Sequence, residues 1–155
     1  MKKITKISSF IFLLSMYLVL MASEQKFEEE YQAIVELYFD AARIGNNEVI
    51  DMFLSEGFPV DQRNQQSYTA LMVAAYQGNQ ETVRLLLASG SNPCLQDKRG
   101  NTALMGALIK REISIAKDLY VSECSSEIRN KAGLNLHEFA KIFGQSDVLK
   151  DLAKK

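Results

Sequence analysis

The sequence predicts an all-α solenoid: helix–turn–helix units stacked side by side and joined by hairpin-like loops. Three observations carry that expectation. The tetrapeptide TALM occurs at residues 69–72 and again at 102–105, 33 residues later. Alanine keeps the same spacing at Ala41, Ala74, Ala107 and Ala140, and glycine at Gly45, Gly78 and Gly144, with Arg111 in the remaining slot. Ile50, Val83, Ala116 and Leu149 stay in phase, as do Phe53, Leu86, Leu119 and Leu152, and so do Asn64, Asp97 and Asn130. A period of this length marks a repeat architecture, in which each unit covers the apolar face of its neighbour.

The elements follow in order. The chain has 155 residues, of which 47% are hydrophobic and 24% charged, a balance that suits one folded domain. It opens with Lys2, Lys3 and Lys6 and an almost uncharged apolar run from Ile7 to Ala22, then turns acidic at Glu24. A basic start, a short apolar stretch and small residues at its end describe a secretory signal peptide over residues 1–23. The run is shorter than the roughly 20 residues of a membrane span. Ala22 suits the cleavage position, whereas Leu20 is larger than the usual residue two before it; an uncleaved anchor is the other reading. The mature chain, 24–155, then carries 15 basic and 19 acidic residues, a balance that argues against nucleic acid or anionic lipid as a partner. The acidic stretch EQKFEEEYQAIVELYFD predicts a helix leading into the first unit, 31–63.

The second unit, 64–96, is the most regular. TALMVAAYQ predicts a short helix closed by Gly78, where a residue without Cβ takes the left-handed turn. NQETVRLLLAS predicts a second helix with Val83, Leu86 and Leu87 on one face. Gly90 closes it, and SNPCLQDKRG is a loop rich in turn formers. The third unit, 97–129, repeats the pattern but places Arg111 and Glu123 where the turns want glycine, so residues 110–128 are expected to be the least regular part of the stack. The fourth, 130–155, stops after its second helix, as a terminal cap would.

TALMVAAYQGN through VRLLLASGSNP resembles the ankyrin repeat, and the resemblance extends over residues 31–155. The implied fold is an all-α ankyrin-repeat solenoid. Met72 and Met105 stand where that pattern has histidine, and a methionine fills such a site by packing. The first unit has Tyr38 and Phe39 in place of the Leu-His pair.

Catalytic chemistry is not legible. There is no Gly-rich phosphate loop, no G-x-S-x-G and no H-E-x-x-H, so an enzyme is not expected. Cys94 and Cys124 lie 30 residues apart, too far for a CxxC zinc half-site, and no metal is expected. In an oxidising compartment the two either pair, since stacking brings their edges together, or stay buried as small core residues. His137, the lone histidine, shares the column of Leu71 and Leu104 and is expected near the core.

The resemblance implies a concave surface made of hairpin tips and first-helix ends. On this lattice it holds Arg63, Gln65, Gln66 and Tyr68, then Gln96, Lys98, Arg99 and Asn101, then Arg129 and Lys131 at the tips. The first helices add Arg43 and Ile44, Tyr76 and Gln77, Ile109 and Lys110, and Ile142 and Phe143. Cations interleaved with tyrosines suit an acidic protein surface. The expectation is a periplasmic or secreted monomer that binds another envelope protein. Small exported bacterial ankyrin proteins are similar in size and layout, and some family members accompany catalases while others neutralise toxins as immunity proteins; a secreted effector acting on a host protein is a further reading. The alternative is a haem-binding accessory using Tyr76 or His137.

Overall fold

The computed structural model describes residues 2–122, 124 and 127–154, with side chains from residue 13 onward. It divides into two compact units, residues 1–35 and 36–155. Helix α1 (Lys2–Ile44) provides all of the first and opens the second. No helix among the described residues is long and apolar enough to cross a membrane.

The second unit is built from short helices in pairs. The end of α1 is followed by α2 (Asn47–Ser55). Then come α3 (Ala70–Gln77) with α4 (Gln80–Ala88), α5 (Ala103–Lys110) with α6 (Ile113–Tyr120), and α7 (Leu136–Ile142) with α8 (Ser146–Leu152). No strand occurs among the described residues. The first helices α3, α5 and α7 pack in sequence as one layer, and α2, α4, α6 and α8 as the other.

The TALM repeat has a local cause. Thr69 and Thr102 adopt extended backbone and cap the following helices, their hydroxyls accepting from the amides of Met72 at 3.3 Å and Met105 at 3.4 Å. Capping satisfies an amide that the helix leaves without a partner. Asn135 does the same for α7 in a full capping box with Glu138. The Ala-Leu-Met that follows is buried in both copies, so the methionines pack as core residues. Alanines 41, 74, 107 and 140 are buried too, and their small size lets the helices close on one another. At the start of the stack Tyr38 and Phe39 join Phe53 and Phe58 in an aromatic cluster with neighbouring ring centroids 4.9–6.0 Å apart. Burial pushes the Tyr38 hydroxyl strongly up from its usual pKa, and the Asp61 carboxylate adds to the effect.

The lattice of Asn64, Asp97 and Asn130 also has a physical basis. In each loop the Oδ1 atom accepts two backbone amides, two and four residues on: Gln66 and Tyr68, Arg99 and Asn101, Ala132 and Leu134, at 2.8–3.0 Å. A side chain thereby closes the loop from inside. The three hairpins, identically closed, sit edge to edge. The Lys131 amide donates to the Arg99 carbonyl at 2.9 Å, and the Lys98 amide to the Gln66 carbonyl at 3.4 Å.

Within 110–128, expected to be the least regular stretch, Arg111 keeps the left-handed turn of the glycine slot at φ 63° between the helices α5 and α6, and Glu123 and residues 125 and 126 lie outside the described residues. The helix pair tolerates the strain because the turn also satisfies helix-end carbonyls: the Arg111 amide donates to Leu108 and the Glu112 amide to Ala107. One expectation is corrected: His137 is exposed, not core. Leu71, in the same column, is fully buried, whereas no further unit among the described residues covers His137 on α7.

The longer ladder bond at the first hairpin pair coincides with a side chain. Ser67 holds φ 62° where the next two hairpins have Gly100 and Gly133. A Cβ at Gly100 would stand 2.8 Å from the backbone of Asn130 and Lys131. Gly100→Ala is therefore expected to destabilise the fold by about 2 kcal/mol, strain and clash combined. Ser67→Gly is expected to raise stability by about 0.5 kcal/mol, since glycine's entropy offsets part of the relief. Urea unfolding of both variants checks the pair of signs.

Candidate hairpin-tip interface

Hairpin-tip residues have two different jobs. Arg63, Gln96 and Arg129 occupy one column, and each reaches from its own loop to something beyond it. The Arg63 guanidinium donates at 2.8 Å to the Ser67 carbonyl and, one unit on, to the Gln96 carbonyl. The Gln96 amide donates to the Gly100 carbonyl and, at 2.9 Å, to the Arg129 carbonyl. Arg129 ends the series on the Gly133 carbonyl and the Glu138 carboxylate, both at 2.7 Å. The Asn135 amide, together with Arg129, holds the Glu138 carboxyl below its ordinary range. Asn101 accepts from the Asn130 amide at 3.0 Å, a further clip between hairpins. The binding face expected of Arg63, Gln96, Asn101 and Arg129 is thus shared with a task in the stack.

The remaining tip residues point elsewhere. Gln65, Gln66, Lys98, Arg99 and Lys131 are exposed, and Tyr68 is half-buried. Lys98 and Lys131 fall at the same place in consecutive loops. The side chains of Lys98, Arg99 and Lys131 enter none of the ion pairs found among the described residues.

The first-helix ends carry the rest of the expected face. The Lys110 ammonium lies 4.7 Å from the centroid of the exposed Tyr76 ring, a cation–π contact between α5 and α3. Gln77 is exposed and Ile109 half-buried. Ile44, Ile142 and Phe143 are exposed apolar residues. Arg43 is paired with Asp40 and contributes less free charge than its position suggests. Arg111 was missed as a member of this edge; the signal was an arginine in a glycine slot, and it is exposed and likewise outside the ion pairs.

The second-helix layer is different. Here charges are matched across units: Asp118 of α6 accepts from Arg84 and Gln80 of α4, both at 2.8 Å. Desolvation opposes ionisation of Asp118, and the Gln80 and Arg84 hydrogen bonds outweigh it, so its pKa falls below the ordinary value. Asp147 pairs with Lys150 and Asp151 with Lys154. Among the described residues, Lys98, Arg99, Arg111 and Lys131 lie outside the ion pairs on the hairpin and first-helix side, and Lys117 does so on α6.

Cys94, in the loop after α4, and Cys124, after α6, form a disulfide with their Cα atoms 5.4 Å apart. A cross-link over 30 residues contributes about 3 kcal/mol in the chain-entropy account. Beside it, Leu104, Met105, Leu119, Leu136 and His137 line an apolar cleft of about 350 Å³. No cluster of three metal-ligating side chains occurs among the described residues.

These helix pairs, capped by threonine, closed by hairpins and stacked on a 33-residue period, define a repeat module for binding other proteins. The family model for ankyrin repeats, in three copies, matches residues 38–132, and the chain belongs to that family. The match ends inside the third hairpin, whereas α7 and α8 complete a further helix pair beyond it. No curated protein matches the chain. Members of the family are typically non-catalytic interaction modules, and the repeats make this chain a protein–protein interaction module.

Two outcomes are expected from the geometry. Gln96→Ala removes two bonds between and within hairpins and lowers stability by about 1 kcal/mol, while Lys98→Ala leaves it within about 0.5 kcal/mol. Urea midpoints of the two variants decide it. For Asp118 the folded pKa is depressed, so its contribution is present above the unfolded carboxylate pKa and is lost as pH falls through the folded one. Asp118→Asn should lower stability by under about 1 kcal/mol at pH 7, because the Arg84 side is solvent-screened. The gap between parent and variant should close in acid, as read by thermal melts across the pH range.

Proposed function

We propose that the chain is an exported adaptor or inhibitor that docks an envelope protein carrying an acidic surface. The observation that carries this reading is the segregation of charge. Among the described residues, the exposed cations Lys98, Arg99, Lys110, Arg111 and Lys131 lie outside the ion pairs on the hairpins and first-helix ends, whereas the second helices pair Arg84 and Lys150 with acids, carry the exposed acids Glu48, Asp51 and Glu81, and leave one cation, Lys117, outside the ion pairs. Tyrosine and arginine are enriched at interface hot spots, and unpaired charge steers association with an opposite partner. Export is supported by the basic-then-apolar start of the chain and by the Cys94–Cys124 disulfide, a bond that persists in oxidising compartments. Toxin immunity, support of a catalase and action on a host protein are the roles such docking would serve. A haem-binding accessory is the second reading, favoured by the exposure of His137 at the rim of an apolar cleft.

The test uses the full chain, tagged at its C-terminus, expressed in its own host and recovered from the envelope fraction. N-terminal sequencing of the recovered protein is expected to begin at Ser23 or Glu24. A single protein retained by the parent and lost from a variant with Tyr68, Tyr76 and Arg99 changed to alanine would support docking on this edge. Retention by both would move the site elsewhere. A Soret band on haem titration that disappears in His137→Ala, without a retained protein, would favour the second reading.

A further inference from the structure

The free cations of the hairpin row are arranged with a spacing of their own. Lys98 and Lys131 occupy the same position of consecutive loops, and the Asp97 and Asn130 side chains close those loops by identical amide pairs. The two backbones are locked together by the Lys131 amide on the Arg99 carbonyl. The cations thus stand on a preorganised edge and repeat at the distance between stacked units. The corresponding position of the first hairpin is Gln65, exposed and uncharged, so the row has a cationic end and a neutral one.

The distance between units selects the geometry of what can lie across them. Packed helices are about 8–10 Å apart, and a polyproline II chain advances about 3.1 Å per residue with three residues per turn, so one unit corresponds to about three residues and side chains three apart share one face. We propose that the row accepts a polyproline II segment of a partner protein whose carboxylates are three residues apart, one against Lys98 with Arg99 and the next against Lys131. The inference rests on the docking reading above and specifies its ligand. An anionic ligand without such spacing gains nothing from the regular placement of the lysines. A helical segment, rising about 1.5 Å per residue, would need its acids about seven residues apart to meet the same cations.

The test titrates the full chain, isotope-labelled and held in a mild non-ionic detergent, with two synthetic peptides of one composition. In the first, Glu-Ser-Gly is repeated three times; in the second, the three glutamates are contiguous. The spaced peptide is expected to bind more tightly, to shift the amides of Lys98, Arg99 and Lys131, and to weaken as salt shortens the screening length. Changing Lys98 and Lys131 to glutamine should weaken it about tenfold, the effect of two exposed ion pairs. Both lysines are exposed and outside the clips, so an unchanged urea midpoint is the expected control.

Equal affinity for the two peptides, no binding by the parent, or binding indifferent to both lysines overturns the proposal. So does a lysine-dependent association with vesicles of anionic phospholipid, or with a second copy in sedimentation, when the peptide is ignored. If the envelope partner is still captured while the spaced peptide fails, the spacing falls and the docking edge stands. If neither is captured, both fall.

Discussion

A helix pair with only seven to nine residues in each arm cannot bury two apolar faces within itself. Every other feature of this protein follows from that constraint. Each unit reaches its stable form only when the next unit covers it, so the interfaces between units, and not the units, hold the fold together. The column of buried alanines permits close approach, and the leucines and methionines after each capping threonine fill the space that remains. In the first unit Tyr38, Phe53 and Phe58 pack together as an aromatic cluster. The column of Leu71 and Leu104 ends on the exposed His137.

Apolar burial is non-directional and would not by itself hold one hairpin in register with the next. Polar groups do that. The Asp and Asn side chains fix each loop, Arg63 and Gln96 tie their loops to the next through main-chain carbonyls, and Arg129 ties the third loop to the Glu138 carboxylate of α7. Asn79 adds a tie at the helix level, donating to the carbonyls of Ala42 and Arg43 at 2.9 and 3.0 Å. A stiff, regularly spaced edge is the result. Cations carried on it that are not spent on the stack become a surface with a defined repeat, which is how the fold's own period enters recognition.

Much of this was legible in the sequence because periodic demands leave periodic residues. Ala41, Ala74, Ala107 and Ala140, the TALM copies and the Asx lattice each answer a demand made once per unit. The inter-hairpin clips were not legible. Their acceptors are main-chain carbonyls, which have no residue signature, and the donor column reads Arg, Gln, Arg, so a structural column looked like a variable binding position. His137 was misread because a column implies burial only when another unit follows. Arg111 was legible as a residue standing in a left-handed slot; that local carbonyl satisfaction lets a non-glycine residue hold the turn was not. The division of the tip residues between stack and partner needed coordinates, since Gln96 and Lys98 differ in role though they are two positions apart.

Native-state hydrogen exchange at the Lys131 amide tests the account most directly. This amide donates to the Arg99 carbonyl of the preceding hairpin and so reports contact between units, not helix formation within one. If interfaces between units carry the fold, Lys131 exchanges only through the same large opening that exposes the buried amides of α5, and its protection follows urea in parallel with theirs. Exchange of Lys131 at the rate of an unstructured chain, with α5 still protected, would show that the hairpins are not held by the stack, and would contradict the account.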